Sequence, residues 1–414
     1  MFAPMGHGHS HGSTSVVEVG QRARNLLVGF LAVVGVLAVA GLIWLWPTGA
    51  EVDGALNRIG DPPGVTYEDA TITAIAAGCT SVEAPGGDLT CETATVELDS
   101  GSEAGQAADI ELIGPQVHHG LRAGDSIEVM RLPTPDGVHY SFSGINRLPV
   151  LLTMLALFVV AVVAVARWRG LMALVGLAVA GYVLLGFMLP AIIVGKPGMA
   201  VALAGSTAIM FIVLYVAHGI SLRTSAALAG TLLGLAVTTA LGAIAVGAAR
   251  LSGFAEENEY DLAQLAPGID FQELLMVGII IGGLGVLNDV TITQASAVWE
   301  LRAAAPEWTR RRVFMSGMRI GRDHIASTIY TIVFAYAGSA LAVLLLLYFT
   351  NREAIDLFGL ELFAGESVRT LASAIGLILS VPITTGIAAI TVGPGRPVPE
   401  TPRHADPVAP DPAP

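Results

Sequence analysis

One apolar stretch of the sequence carries small and polar side chains at helical spacing. Between Gly278 and Glu300, seven of them recur at intervals of three or four residues, which places them on one face of a helix. They are Gly278, Gly282, Gly285, Asp289, Thr293, Ser296 and Glu300. The glycines allow a second helix to pack closely, and the carboxylate and hydroxyls can bind an ion or a small solute. Asn288 and Gln294 add amide groups beside this face.

A second group of ionisable residues begins the next apolar segment. Arg322 and Asp323 stand at its start, and Ser327 lies one helical turn after Asp323. These side chains could meet Asp289 across a helix interface and form a gate. Two simpler explanations stay open. Asp289 lies about 27 Å along its helix from Phe271, close to the inner membrane interface, where it could form a structural ion pair with a nearby arginine. The arginines could also contact anionic lipids.

Hydroxyl groups also surround a proline in the last apolar segment. Within Ser380–Thr385, Pro382 frees a backbone carbonyl one turn earlier, and neighbouring hydroxyls can satisfy it. Broken helices of this kind line substrate sites in many transporters, and they also occur as inert kinks. The sequence leaves both interpretations open.

Motifs for metal binding and catalysis are weak or missing in the sequence. His7, His9 and His11 could bind a divalent metal weakly, but a disordered N-terminal tail is the expected state. No Walker loop, nucleophile elbow or HExxH motif occurs. We therefore expect no enzymatic activity, no cofactor and no resident metal.

The composition indicates that membrane helices position these groups. Hydrophobic residues make up 53% of the 414 residues and charged residues only 13%, with a mean hydropathy of +0.68. A soluble protein with this balance would have too few charges to cover its surface. The formal charge of −13 argues against a nucleic-acid partner, which requires a basic face. The lipid bilayer is the expected environment.

Segments of at least 18 residues with at most one charge predict eight transmembrane helices. They are Leu26–Trp46, Leu148–Ala166, Leu171–Val194, Met199–Ala217, Ser225–Ala249, Leu274–Trp299, Ile325–Thr350 and Leu371–Val392. With the N-terminus inside, most arginines lie in the cytoplasm, so we expect a cytoplasmic-membrane protein with both termini cytoplasmic. Residues 1–25 and 393–414 are predicted to be disordered tails.

Residues 47–147, between the first two spans, alternate in the manner of β strands. The candidate strands, separated by turn signals, are Ala70–Ala77, Cys91–Leu98, Asp109–Leu112, Ser126–Met130 and His139–Ser143. They predict a small extracytoplasmic all-β barrel of the OB-like type. Cys79 and Cys91 flank the first turn, and we expect them to form a disulfide worth about 3 kcal/mol. The predicted fold is thus a mainly α, eight-helix membrane bundle with this barrel between helices 1 and 2 and a seven-helix domain over residues 148–392.

Two regions of the chain resemble the YibE/F-like family of bacterial multi-pass membrane proteins. The first runs from Gly282 to Val290 (GGLGVLNDV) and continues in Ala295–Leu301 (ASAVWEL). The second is Ile320–Asp323 (IGRD), followed by Ala335–Ser339 (AYAGS). The resemblance covers residues 65–392 and implies the topology given above and a location in the cytoplasmic membrane. It implies no substrate.

Two functions of different classes are compatible with these features. The first is a transporter or permease for a small solute or ion, with Asp289 as the coupling group. The second is a non-transporting membrane scaffold or envelope sensor that presents the β domain. We find no convincing inverted repeat between the two halves, which weakens the first hypothesis. The glycine-rich faces leave open whether helices pair within one chain or between copies of a homo-oligomer.

Overall fold

The computed structural model describes residues 19–59, 64–78, 82–84, 87–89, 91–135, 137–255, 257–339, 341–349, 354–357 and 359–395. The chain forms two compact units. One is Ile59–Arg167, and the other is Met1–Arg58 together with Trp168–Pro414.

The unit Ile59–Arg167 contains the strand-rich segment. Its strands are β1 (Thr66–Ala77), β2 (Val82–Ala84), β3 (Gly87–Leu89), β4 (Cys91–Leu98), β5 (Ala107–Ile113), β6 (Ser126–Thr134) and β7 (Gly137–Ile145). Five of them form one antiparallel sheet in the order β5-β4-β1-β6-β7, and β5 also contacts β7, so the sheet is nearly closed into a barrel. β2 and β3 form a separate hairpin. The predicted five-stranded barrel is confirmed, and each predicted strand overlaps an observed one.

Strict alternation along the strands fills this barrel. Ala70 and Ile72 on β1, Val96 on β4, Ile110 on β5 and Val129 on β6 are each at most 1% exposed. Because successive side chains of a strand point to opposite faces, these apolar residues form a continuous core while their neighbours face outwards.

The other unit is helical. Its elements, beginning with two helices before the barrel, are α1 (Gln21–Leu45), α2 (Gly49–Ile59), α3 (Leu148–Val183), a π-helical turn (Leu184–Met188), α4 (Leu189–Ile193), α5 (Gly198–His218), α6 (Leu222–Ala248), α7 (Glu257–Leu265), α8 (Phe271–Ala304), α9 (Arg310–Ser339), α10 (Leu341–Phe349), α11 (Ala354–Leu357) and α12 (Glu361–Thr391). The last residue of α2, Ile59, and the part of α3 up to Arg167 belong to the unit Ile59–Arg167. α6, α8 and α12 pack against one another, and α5 and α9 pack around them.

Six helices of the described chain are long and apolar enough to cross a membrane: α1, α3 with α4, α5, α6, α8 and α12. The sequence predicts eight spans. Two of these, Leu148–Ala166 and Leu171–Val194, lie on either side of a break in helical geometry at Arg167 (φ 54°, ψ −135°), where two helices meet. The predicted span Ile325–Thr350 falls on α9 and α10, neither of which is among the six.

Polar side chains fix the ends of two central helices. Ser221 Oγ accepts a hydrogen bond from the N–H of Thr224 at the start of α6, and Asp270 Oδ1 accepts one from the N–H of Glu273 at the start of α8. α12 continues as a helix through Pro382, and Thr385 Oγ1 donates to the carbonyl of Val381. The hydroxyls near Pro382 therefore lie on a continuous helix and not on a broken one.

Several sequence-based predictions concern residues beyond the described ones. His7, His9 and His11 lie outside the described residues, as does Cys79, so the disulfide with Cys91 stays a prediction. The two described chain ends pair with each other: Val19 forms a β-bridge with Val392. Both ends of the helical unit are therefore at the same side of its bundle.

Candidate functional site: an ionisable pair and a buried hydroxyl stripe

Asp289 on α8 contacts a histidine of α9. Its Oδ2 is 3.8 Å from Nε2 of His324, and the Asp289 side chain is 75% exposed in the described chain, against 32% for His324. From the sequence, one explanation of Asp289 was a structural ion pair with an arginine. In the structure the residue next to Asp289 is His324 instead. A carboxylate and an imidazole at this separation can exchange a proton through a small side-chain movement or one water molecule.

The polar face predicted on α8 is turned away from the bundle. Gly285, Asp289, Thr293 and Glu300 are exposed, whereas Gly278, Gly282 and Ser296 are half-buried. The face that packs is the opposite one, with the buried residues Gly283, Leu287, Thr291, Gln294, Ala295 and Val298. A Cβ added to Gly285 would meet no described atom within 4 Å, so the predicted close helix contact at this glycine is not formed within the described chain. Gly278 instead faces Arg369 of α12, whose Nη2 would lie 3.5 Å from an added Cβ.

Gln294 joins three helices rather than lining an open site. Its Nε2 donates to the carbonyl of Gly317 on α9 and to Thr385 Oγ1 on α12, both at 2.7 Å. The neighbouring amide differs: Asn288 Oδ1 is buried and has no hydrogen-bond partner among the described residues. Thr293 Oγ1 donates to the backbone carbonyl of Asp289, within its own helix.

The residues predicted to form a gate lie on the exposed surface of α9. Arg322, Asp323 and Ser327 are exposed, and neither charged residue forms an ion pair with Asp289 in the described chain. His324, which follows Asp323 in the sequence, is the residue of α9 that contacts Asp289.

A polar stripe on α12 was identified only in part from the sequence, which named the hydroxyls of Ser380–Thr385. Its residues recur at intervals of three or four and are Glu366, Arg369, Ser373, Gly376, Ser380 and Thr384. The stripe lies at the junction of α6, α8 and α12, where Ser373, Ser380 and Thr384 are at most 1% exposed. The regular spacing of the hydroxyls was the signal that could have revealed it. Placing the start of the span at Leu371 excluded its charged end.

Three hydroxyls at this junction lack a hydrogen-bond partner in the described chain. They are Thr238 Oγ1 on α6, and Ser373 Oγ and Thr384 Oγ1 on α12. A buried polar group without a partner destabilises a protein by about 1–3 kcal/mol. Small hydroxyl residues are common where membrane helices pack closely, and here three of them lack a partner in the described chain.

A cavity opens at the Arg369 end of the stripe. It has a volume of about 80 Å³, and Phe271, Glu361, Glu366 and Arg369 contribute to its lining. Arg369 Nη1 is 2.8 Å from Glu366 Oε1. Glu361 accepts hydrogen bonds from the backbone N–H groups of Ser252 and Gly253, as well as from the Ser252 hydroxyl. The charged side chains of this cavity thus lie next to the Arg369 end of the stripe.

A separate polar cluster lies at one end of the β barrel. Arg131 reaches Glu68 at 3.9 Å and Glu103 at 3.5 Å, and Tyr140 donates to Glu103 Oε2 at 2.9 Å. Burial raises the pKa of Tyr140, and its hydrogen bond to Glu103 acts in the same direction. Although burial opposes it, hydrogen bonding to Tyr140 and Glu103 raises the pKa of Arg131. The cluster fixes the loop that carries Glu103 to the barrel end.

The helices and the site define a class before any comparison. Several membrane-length helices, an ionisable pair between one of them and α9, and a buried hydroxyl stripe are features of a multi-pass membrane protein. The family model described as YibE/F-like protein matches residues 154–394, and the chain belongs to this family. Neither the search of curated proteins nor the search of solved structures finds a match.

Proposed function

We propose that the protein is a proton-coupled transporter of a small solute or ion, in which Asp289 and His324 carry the coupling proton. The observation that supports this is the position of the pair. Asp289 lies on a helix of membrane length, 3.8 Å from a histidine, and its side chain is largely uncovered by the described chain. Aspartate and histidine are the residues that proton relays within membranes use.

The exposure of Asp289 favours a water-filled cleft beside α8 and α9. An ionised aspartate at the centre of a membrane helix is unfavourable by about 2.5–3.5 kcal/mol on insertion scales. Asp289 lies about 27 Å along α8 from Phe271, near the inner end of the span, where water can reach it. His324 suits the coupling role because histidines take part in the proton relays of pumps and transporters. Protonation of this pair would then change the contact between α8 and α9.

The solute path that we propose runs on the other side of α8. It begins at the cavity beside Arg369 and follows the hydroxyl stripe of α12 between α6 and α8. Because α8 contributes to both the pair and the junction, a shift of this helix on protonation would reach both. As in the sequence analysis, we propose a location in the cytoplasmic membrane with both termini cytoplasmic, a homo-oligomer as one assembly state, no enzymatic activity and an OB-like type for the barrel.

The test uses purified protein in liposomes that contain the pH-sensitive dye pyranine. Salts of alkali and divalent metals, amino acids and small carboxylates are added one at a time, and the internal pH is followed. We expect at least one of them to change the internal pH at a rate that is lost in Asp289→Asn and retained in Glu300→Gln. Glu300 is a matched control, since it is an exposed acid of the same helix. Unchanged rates in Asp289→Asn would exclude the pair from the mechanism.

A scaffold or sensor is the second candidate, and one observation favours it. The barrel belongs to a compact unit with its own apolar core. Cysteines introduced at Thr293 and Ser296 and labelled with membrane-impermeant maleimides distinguish the candidates. Labelling from either side of the membrane supports a water-filled cleft and transport, whereas two unreactive cysteines support the scaffold.

A further inference from the structure

α6 and α12 cross with reciprocal contacts. Gly230 of α6 faces Thr384 of α12, and Gly376 of α12 faces Thr238 of α6. In both places a Cβ added to the glycine would overlap the Oγ1 of the opposite threonine. The glycine and the threonine are eight residues apart on each helix, so the two helices run antiparallel with the same spacing.

The centre of the crossing lies midway between these two contacts. A Cβ added to Gly234 would be 3.0 Å from the Cβ of Ser380. Gly234 is four residues from both Gly230 and Thr238, and Ser380 occupies the corresponding position on α12. The two helices are therefore related by a local two-fold axis that passes between Gly234 and Ser380.

The same relationship is present in the sequence. Gly230, Gly234, Thr238 and Thr239 are each 146 residues from their counterparts Gly376, Ser380, Thr384 and Thr385. The last pair also shares one hydrogen bond within its helix. Thr239 Oγ1 donates to the carbonyl of Leu235, and Thr385 Oγ1 donates to that of Val381, although Thr385 Oγ1 also accepts from Gln294. Three of the four pairs are identical residues, and the reciprocal Gly–Thr contacts relate two of these pairs in space.

We infer that α6 and α12 are equivalent elements of an inverted repeat, and that Thr238 and Thr384 close the solute path at two equivalent points. The inference rests on the transport function proposed above. Thr238 lies towards the end of the bundle that contains Glu361, and Thr384 lies towards the end that contains Thr391. Both side chains are fully buried, and neither Oγ1 has a hydrogen-bond partner in the described chain.

This assignment gives the two threonine contacts alternate roles. In transporters built from inverted repeats, the site lies between the repeats near the middle of the membrane, and the two sides open in turn. The Thr238–Gly376 contact would close the path on the Glu361 side, and the Thr384–Gly230 contact would close it on the Thr391 side. Because the glycines leave no space for a Cβ, the closed state of each contact requires glycine.

The experiment opens one contact at a time and measures access from each side. Gly376→Ala and Gly230→Ala are each combined with the reporter cysteine Ser380→Cys, at a buried position between the two contacts. Membrane vesicles of both orientations are treated with a membrane-impermeant maleimide. Labelling of the parent chain measures the background. Gly247→Ala is the matched control, since no described atom lies within 4 Å of its added Cβ.

We expect Gly376→Ala to raise labelling at position 380 at least tenfold from the Glu361 side only, and Gly230→Ala to do so from the Thr391 side only. Labelling from the same side in both variants, or no effect of either in monodisperse protein, would overturn the inference. If an alanine variant does not fold, Thr238→Ala and Thr384→Ala remove the same contacts without adding atoms, and the same outcomes apply.

The result is independent of the flux measurement. Reciprocal labelling without any flux would contradict the transport proposal and retain the inverted repeat. Flux with labelling that is not reciprocal would retain transport and contradict the inverted repeat.

Discussion

Oδ2 of Asp289 and Nε2 of His324 are 3.8 Å apart, on neighbouring helices that belong to the same compact unit. This separation is longer than a hydrogen bond, yet close enough for one to form after a small rotation of either side chain. The His324 Nε2 has no hydrogen-bond partner in the described chain. The pair is therefore placed to form and break a contact as a proton arrives and leaves.

Asp289→Asn and His324→Gln should affect transport as one unit. Each substitution removes a titrating member of the pair, so we expect each to lower proton-coupled flux in liposomes at least tenfold. The double variant should be no slower than the slower single variant, because groups that act together are not additive. Initial rates of internal pH change give all four values. A double variant whose loss equals the product of the two single losses would show that the residues act independently.

The barrel and the membrane helices could be predicted because their signals are local. Alternation along β1 and β4 and the uncharged runs of α5 and α6 each depend on neighbouring residues alone. The interacting faces could not be predicted in this way. Periodicity shows that Gly285 and Asp289 share a face, but both the lipid side and the bundle side of a membrane helix are apolar, so it does not show which face packs.

The hydroxyl crossing could not be predicted for a different reason. Thr238 and Gly376 belong to helices far apart in the sequence, and their contact depends on the antiparallel packing of α6 and α12. A comparison at the 146-residue separation would have shown the matched residues, but only the contacts distinguish them from coincidence. Similarly, helical spacing identified Asp289 from the sequence, whereas the identity of its partner, His324, depends on how α9 packs against α8.

Gln294→Ala should destabilise the helical unit. It removes two hydrogen bonds of 2.7 Å and leaves the buried carbonyl of Gly317 without this donor, which we expect to cost about 1–3 kcal/mol. Thermal unfolding in detergent, followed by tryptophan fluorescence, measures the change. Thr293→Val, at an exposed position of the same helix, is the control and should stay within about 0.5 kcal/mol. The cycle with Thr385→Val should show a coupling of about 0.5–3 kcal/mol, and strict additivity would contradict the bond between Gln294 and Thr385.

Tyr140 should titrate late and contribute to stability below its own pKa. Burial and the bond to Glu103 raise its pKa above the ordinary value of 10.0. A raised pKa means that the folded barrel favours the neutral phenol. Its contribution is thus complete below pH 10.0 and is lost as the pH rises through the folded-state pKa.

Phenolate absorbance of the full-length protein in detergent tests this directly. Tyr140→Phe should remove a late-titrating component and lower stability at neutral pH, and the stability difference from the parent should shrink at alkaline pH. Tyr67→Phe, which removes an exposed phenol from β1, should leave that component in place. A late component that persists in Tyr140→Phe would refute the assignment.

Two glycines in the loop between β4 and β5 provide a matched pair for the polar cluster of the barrel. Gly101 has φ +88° and Gly105 has φ +83°, so alanine at either position adopts a left-handed conformation that costs about 1–2 kcal/mol. Only at Gly101 would the new Cβ also overlap the buried Glu68 carboxylate, since no described atom lies within 4 Å at Gly105. Gly101→Ala should therefore destabilise the barrel more than Gly105→Ala, because Glu68 must also leave Arg131.

Limited proteolysis of the full-length protein across a urea series measures this difference. The combination Gly101→Ala with Glu68→Ala separates the two causes. Once the carboxylate is removed, adding Gly101→Ala should have only the effect that Gly105→Ala has in the parent chain. If Gly101→Ala and Gly105→Ala are equally destabilising in the parent, the Glu68 carboxylate does not occupy the position above Gly101 that the structure gives it, and the cluster with Arg131 and Glu103 is arranged differently.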